Sequence, residues 1–324
     1  MKILVTGAAG FVGFHLAKRL LEDGDVVCGV DNFNNYYSTE LKEARNDILE
    51  KYPNFTIRRM DLNDKQSLKS AFDEFKPDIV VNLAAQVGVR YSIDHPEQYS
   101  ETNVCGFLNV LECCRNANPK PTLLYASSSS VYGNAQEMPL REDMAVDNPI
   151  SLYAATKKSN ELMASCYSHL YGIQAIGFRF FTVYGPWGRP DMGVWLFASG
   201  MLEGKPIRVF NNGEMYRDFT YVSDIVDGVV RCIRNLASLP KCTIYNIGNN
   251  HPERILDVIF RIGEELGVEH PKLEFLPMQM GDVISTWASI DKLNKAVGYV
   301  PSTNISIGIQ RFCKWFKWWH SLQK

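Results

Sequence analysis

Tyr153 and Lys157 stand four residues apart in "SLYAATKK". On a helix, positions i and i+4 share a face, so the ammonium can sit beside the phenol and lower its pKa by favouring the phenolate. A phenol tuned in this way takes a proton from a hydroxyl near neutral pH. The spacing recurs by chance, and it gains weight from "YASSSSVYG", residues 125–133, where the strand-like Tyr125 and Ala126 run into four serines. Hydroxyls at a sheet edge must face water, backbone or a ligand. Ser128 is the candidate to touch the oxygen that Tyr153 would deprotonate. Ser129 and Ser130 are candidates to hold cofactor or substrate, and at least one of the four serines is expected to cap the turn.

A second constellation opens the chain. "TGAAGFVG" places Gly7, Gly10 and Gly13, with Phe11 and Val12 between them, at the junction of a first strand and a first helix. Glycine suits a backbone that must turn tightly and approach a pyrophosphate, whose charge then meets free N–H groups at the helix N-terminus. The bland alternative is a turn that only lets helix and sheet pack. Asp31, at the end of the second strand, can accept hydrogen bonds from a ribose and would repel a 2′-phosphate, which favours NAD over NADP. Asn32 follows it. Asp61 and Leu62 fall where an adenine would pass, although Asp61 could equally cap a helix with Asn63 or Asp64. Leu83, Ala84, Ala85 and Gln86, in "NLAAQ", and Ala126, before the serines, offer small residues beside a nicotinamide.

The elements that must position these groups alternate in type. "KILVTG", "DVVCGVD", "FTIRRMD", "PDIVVNLAA", "PTLLYASS" and "IQAIGFRFF" read as strands. Helical segments are expected at 11–24, about 64–75, about 96–117 and about 151–171. This alternation predicts an α/β, Rossmann-type doubly wound parallel sheet. From Thr182 the pattern loosens into Gly- and Pro-rich sequence. The expected division is therefore residues 1–181 for the NAD-binding domain and 182–324 mainly for a smaller C-terminal α/β substrate lobe, with some segments returning to the large domain.

Composition sets the bounds. The 324 residues are 46% hydrophobic and 22% charged, with a formal net charge of -2. A full core is expected, without a global field for nucleic acid or an anionic membrane. There is no secretory signal and no apolar run long enough to span a bilayer, so a cytoplasmic location is expected. The eight cysteines form no CxxC pair, which suits a reducing compartment better than disulfides or a metal site. Most are expected to be small buried hydrophobes.

At these residues the chain resembles the extended short-chain dehydrogenase/reductase family, specifically its nucleotide-sugar epimerases. "DNFNNYY", "LAAQVGVRYS", "RFFTVYGPWGRPDM", "RDFTYVSDIV", "YNIGN" and "PMQMGDV" carry the resemblance nearly end to end, and within the family it is most similar to UDP-glucuronate 4-epimerases. The resemblance implies NAD as cofactor, a UDP-sugar as substrate and a homodimer formed through the helices near 100–117 and 151–171. It implies that Tyr153 removes the C4 hydroxyl proton while the C4 hydride passes to tightly held NAD, giving a 4-keto sugar that turns and takes the hydride back on its other face. Lys157 would also bind the nicotinamide ribose. Asn103 and Phe180 match positions near the cofactor. Arg189 and Arg217 match a diphosphate clamp suited to guanidinium. Asp282 would meet a ribose hydroxyl, and Val209 and Phe210 would flank uracil.

The family also frames the alternatives. The 4,6-dehydratases carry an acid pair where this chain has Ser129 and Ser130, and UDP-glucuronate decarboxylases tend to carry a glutamate at the latter position. Ser289, in "WASI", departs from an "AD" pair in related epimerases. A 4-keto uronate loses CO2 readily, so its carboxylate must be held, with Gln86, Arg90 and Thr182 as candidates; Arg90 could instead pair with Asp94. UDP-glucose or UDP-GlcNAc 4-epimerisation, UDP-glucuronate decarboxylation and an NAD-sensing binding protein are the other readings. The aromatic C-terminal stretch "RFCKWFKWWHSLQK" is expected to be a helix packed on the small lobe, with docking on an anionic membrane as its alternative.

Overall fold

The structure, a computed structural model, describes residues 1–279 and 282–322. Strands β1 (Lys2–Thr6), β2 (Val26–Asp31), β3 (Phe55–Arg59), β4 (Ile79–Asn82), β5 (Thr122–Ser128) and β6 (Ala175–Phe180) lie where the apolar runs predict them. They form a parallel sheet of seven strands in the order β3, β2, β1, β4, β5, β6, completed by Cys242–Ile247 beside β6. That last strand comes from the C-terminal third.

Side chains alternate across a strand, and both faces of this sheet are apolar. Ile3 and Val5 of β1 join one core with Phe14, Leu16 and Leu20, whereas Leu4 joins a second with Phe107, Val110 and Leu111. Helix α1 (Phe11–Glu22) and the Val222–Arg234 helix cover the first face; α3 (Lys65–Phe75), Phe107–Asn116 and Leu152–Tyr171 cover the second. A helix that the strand and helix patterns above do not mark, α2 (Thr39–Leu49), follows β2. Its sequence, TELKEARNDIL, is polar because it buries Lys42 and Arg45 as well as Leu41 and Leu49. Burying charge breaks the apolar period on which the sequence reading relies.

The remaining C-terminal elements build separate sheets. Tyr216–Tyr221 pairs with Thr182–Tyr184, Pro252–Arg254 and Ser285–Thr286, and Ile207–Phe210 pairs with Leu273–Leu276. They share a core with the terminal helix Ile305–Leu322, which buries Phe312 and Phe316 there. Trp315 and Trp319 pack on Trp187, while Trp318 is exposed. The aromatic face of this helix is thus turned into the protein. No helix among the described residues is long and apolar enough to cross a membrane. All eight cysteines are free; Cys28, Cys114, Cys232 and Cys313 are buried, but Cys105, Cys166 and Cys242 are exposed, against the expectation that most are core residues.

Candidate active site

The C-terminal ends of β1, β2, β4 and β5 open onto one cleft of ≈ 400 Å³. Gly7 turns at φ +71°, and a Cβ on it would sit 2.8 Å from the Ala84 nitrogen. At Gly13, inside the first turn of α1, a Cβ would lie 2.0 Å from the Gly7 carbonyl oxygen. The strand-to-helix turn therefore closes only without side chains at these two positions, leaving its backbone bare toward the cleft.

Of the residues read from the sequence, Gly7, Gly10, Phe11, Val12, Gly13, Asp31, Asn32, Asp61, Leu62, Leu83, Ala84, Ala85, Gln86, Ala126, Ser128, Ser129, Ser130, Tyr153, Lys157, Phe180, Thr182 and Arg189 all line this cleft. Asp31 accepts from the amides of Ala9 (3.0 Å) and Phe33 (2.9 Å). Asp61 accepts from Asn32 Nδ2 at 2.7 Å and closes a local turn with the Asn63 amide, while the cap of α3 is Asp64. Asn103 stands outside the cleft and braces it. Its side chain exchanges hydrogen bonds with both backbone groups of Gln86, at 2.8 and 3.0 Å, and donates to Thr156 on the Leu152–Tyr171 helix. Around it, Ser100–Gly106 widens into a π-helix, a distortion frequent at functional sites. Asn160 satisfies the Asn103 carbonyl.

The four serines divide their labour. Ser127 points into the core and donates to Glu161 at 2.7 Å; Glu161 is held by a bidentate ion pair with Arg179, 2.9 Å on each arm. Ser128 is the turn cap, its Oγ accepting from the Ser130 amide at 3.1 Å. Ser128 is therefore the cap and the catalytic candidate at once.

Burial pushes the Tyr153 phenol above its ordinary pKa, and Arg189, then Ser128, act against that rise. Lys157, the cation expected to favour the phenolate, is held beside the Tyr153 ring by the end of β5. The Lys157 ammonium lies 6.0 Å from the Tyr153 ring centroid and donates to the Ala126 carbonyl at 2.9 Å. Burial without a carboxylate partner brings its own pKa down to about 8. Arg189, which lines the same cleft, opposes the rise of the phenol through its charge. It is paired with Asp191, which also accepts from the Tyr36 hydroxyl at 3.0 Å.

A second group lies apart from the cleft walls. Arg217 pairs with Asp282 at 2.7 Å, and Arg90 approaches the same carboxylate at 3.6 Å while stacking on the Phe210 ring at 4.8 Å. Arg90 thus faces Asp282 rather than Asp94. Val209 and Phe210 alternate on their strand, so Val209 is buried in the C-terminal core and only Phe210 is half-exposed. The two side chains cannot together flank a base. Met280 and Gly281 of "PMQMGDV" lie outside the described residues.

Tyr36, Tyr37 and Lys42 also line the cleft, and the sequence reading had not singled them out. "DNFNNYY" contains the tyrosines, but their use depends on α2 folding back over the loop. Lys42 Nζ there donates to both oxygens of Asn34 at 2.7 Å.

Residues 3–248 match the model of the NAD dependent epimerase/dehydratase family. The chain belongs to that family. As a member of the epimerase/dehydratase family it is 42% identical to UDP-glucuronate 4-epimerase 2 of Arabidopsis thaliana, over 98% of this chain and 76% of that protein. Among solved structures it is similar to UDP-glucuronic acid 4-epimerase from Bacillus cereus, in complex with UDP-glucuronic acid and NAD, at TM-score 0.91 and 33% identity over 98% of this chain and 100% of the other. It is also similar to UDP-glucose 4-epimerase from Thermus thermophilus, in complex with NAD, at TM-score 0.85 and 31% identity, over 98% and 99% of the two chains. The cleft fits the family's cofactor: the side-chain-free turn, the Asp31 carboxylate and the buried, unpartnered Gln86 Nε2 all face it.

Proposed function

We propose that this protein is an NAD-dependent 4-epimerase that interconverts UDP-glucuronate and UDP-galacturonate through a 4-keto intermediate. The observation that carries the reading is the meeting of Ser128, Tyr153 and Lys157 at one end of a cleft whose other end is the glycine turn. When bound, NAD supplies a reversible hydride acceptor for the sugar C4. Gly7, Gly10, Gly13, Asp31 and Asp61 would hold its adenosine diphosphate half and Lys157 its nicotinamide ribose.

The chain's own groups handle the proton. Tyr153 accepts the proton of the C4 hydroxyl and returns it after the sugar has turned, and Ser128 steadies the same oxygen by hydrogen bonding. A phenol raised by burial would stay protonated at neutral pH, so the charge of Arg189 is part of what makes it a base. Ser129 and Ser130 provide no acid to expel a C6 hydroxyl. With Gln86 and Thr182 they offer neutral polar groups for the C6 carboxylate, which must be kept from the alignment that releases CO2. The UDP end falls to Arg217, Asp282 and Phe210, with Arg90 beside them rather than at the carboxylate.

A homodimer fits the apolar residues Leu108, Leu162 and Leu170, exposed on Phe107–Asn116 and Leu152–Tyr171, two of the helices on the second face of the sheet. Eight free cysteines suit a cytoplasmic site, with the product entering polysaccharide assembly.

The test is incubation with UDP-glucuronate without added NAD, products resolved by NMR. UDP-galacturonate is expected, and Tyr153→Phe should lower turnover by at least about 100-fold with NAD still bound. UDP-xylose with CO2 would make the protein a decarboxylase. Bound NAD without turnover of any UDP-sugar would leave a binding protein.

A further inference from the structure

Arg45, on α2, is fully buried, and no carboxylate among the described residues pairs with it. A buried guanidinium without an acid partner is costly, and its acceptors indicate its use. Nη1 donates to the Ala9 carbonyl, within the glycine turn, and to the Tyr37 hydroxyl, each at 2.8 Å. Nη2 donates to the carbonyls of Trp187 (2.6 Å) and Gly188 (3.2 Å). On α1, His15 contacts the preceding carbonyl, Pro186, at 2.9 Å. A carbonyl only accepts, so this ring nitrogen carries the hydrogen, and burial holds the imidazole neutral with a pKa of about 4.

Three successive carbonyls, 186 to 188, are thus fastened to the first two helices of the sheet domain, and the next residue is Arg189. The turn is also strained. Trp187 sits at φ +60°, a conformation that a bulky residue keeps only when its surroundings impose it. Its ring is packed 5.7 Å from Phe14 and 5.4 Å from Trp315.

We infer that Arg45, assisted by His15, is a positioning residue for the reaction: it bolts the turn at Pro186–Gly188 to the glycine turn so that Arg189 is presented to Tyr153. This rests on the epimerase reading for its kinetic consequence only. The guanidinium touches neither the phenol nor the sugar; it acts through the backbone that carries Arg189. One cation therefore joins the cofactor end of the cleft to the group that makes the phenol a base.

The test compares Arg45→Met, Arg45→Lys and His15→Phe with wild type, at saturating UDP-glucuronate and NAD. The acidic limb of kcat against pH should move upward by about one unit in Arg45→Met, a loss of about tenfold at neutral pH, with Arg45→Lys between it and wild type. His15→Phe keeps the ring packing and should shift the limb in the same direction by less. Amide hydrogen exchange over residues 185–192 should quicken in each variant. A wild-type pH profile in Arg45→Met, with only the melting temperature lowered, would overturn the inference. Should Arg45→Met fail to fold, the profile of His15→Phe decides in the same way. If wild type turns over no UDP-sugar, the functional reading fails, and exchange at 185–192 still decides the inference: unchanged rates overturn it.

Discussion

Lys157→Met should stabilise the protein while destroying its activity. Burial carries the ammonium from its ordinary 10.5 down to about 8, and at about 1.4 kcal/mol per tenfold change in proton affinity this corresponds to about 3 kcal/mol held against folding. Methionine removes that cost and keeps most of the stem's packing. It also gives up the bond to the Ala126 carbonyl, about 1 kcal/mol, for a net gain of about 2 kcal/mol at neutral pH. The pH dependence fixes the sign. Below the folded value of about 8 the group is charged in both states and the whole cost is present. Between that value and 10.5 the unfolded chain binds a proton that the folded chain has released, so wild-type stability rises with pH. The advantage of methionine should therefore shrink over that interval and turn, above it, into a deficit of about 1 kcal/mol from the lost bond. Urea unfolding of nucleotide-free protein at about pH 7 and about pH 10 reads both quantities, and turnover should fall by at least about 100-fold. A variant no more stable than wild type at neutral pH, or a gap that does not close as pH rises, would refute the claim that this lysine is held in its site against its own solvation.

Gly13→Ala places a methyl 2.0 Å from the Gly7 carbonyl, and the backbone shift needed to relieve it should cost about 1–3 kcal/mol; nucleotide released by heating the purified variant should fall at least about tenfold, and wild-type NAD content would show that the turn is not the cradle. Leu162→Glu sets a charge on a leucine that is 60% exposed in the single chain and should convert a dimer to monomer, since an unpaired charge in an apolar interface costs several kcal/mol; sedimentation velocity measures this, and an unchanged mass would move the interface elsewhere.

The sheet was legible because its signals are local. Buried parallel strands are short β-branched runs, and three of them end at residues that line the cleft: Asp31 of β2, Ser128 of β5 and Phe180 of β6. α2 was not legible, since a helix that buries Lys42 and Arg45 has no clean apolar stripe. The aromatic terminal helix had two readings in sequence, and only the position of Trp187 chose between them. Tyr153 and Lys157 could be paired from spacing alone, but not the burial that raises the phenol and lowers the amine.

The sequence by itself determined which chemistry is present: glycines where a side chain would collide, a carboxylate at the end of β2, and a phenol and an amine one helical turn apart. Local geometry suffices for these, because each depends on residues within one turn or one strand. Only the tertiary structure decided which charges act on which. Arg189, far along the chain from Tyr153, acts against the burial that raises the phenol, Arg90 turns toward Asp282, and Arg45 reaches two turns of backbone and the Tyr37 hydroxyl at once. Electrostatic effects follow distance and burial through space, and those are set only when helices from distant parts of the chain pack on the same sheet.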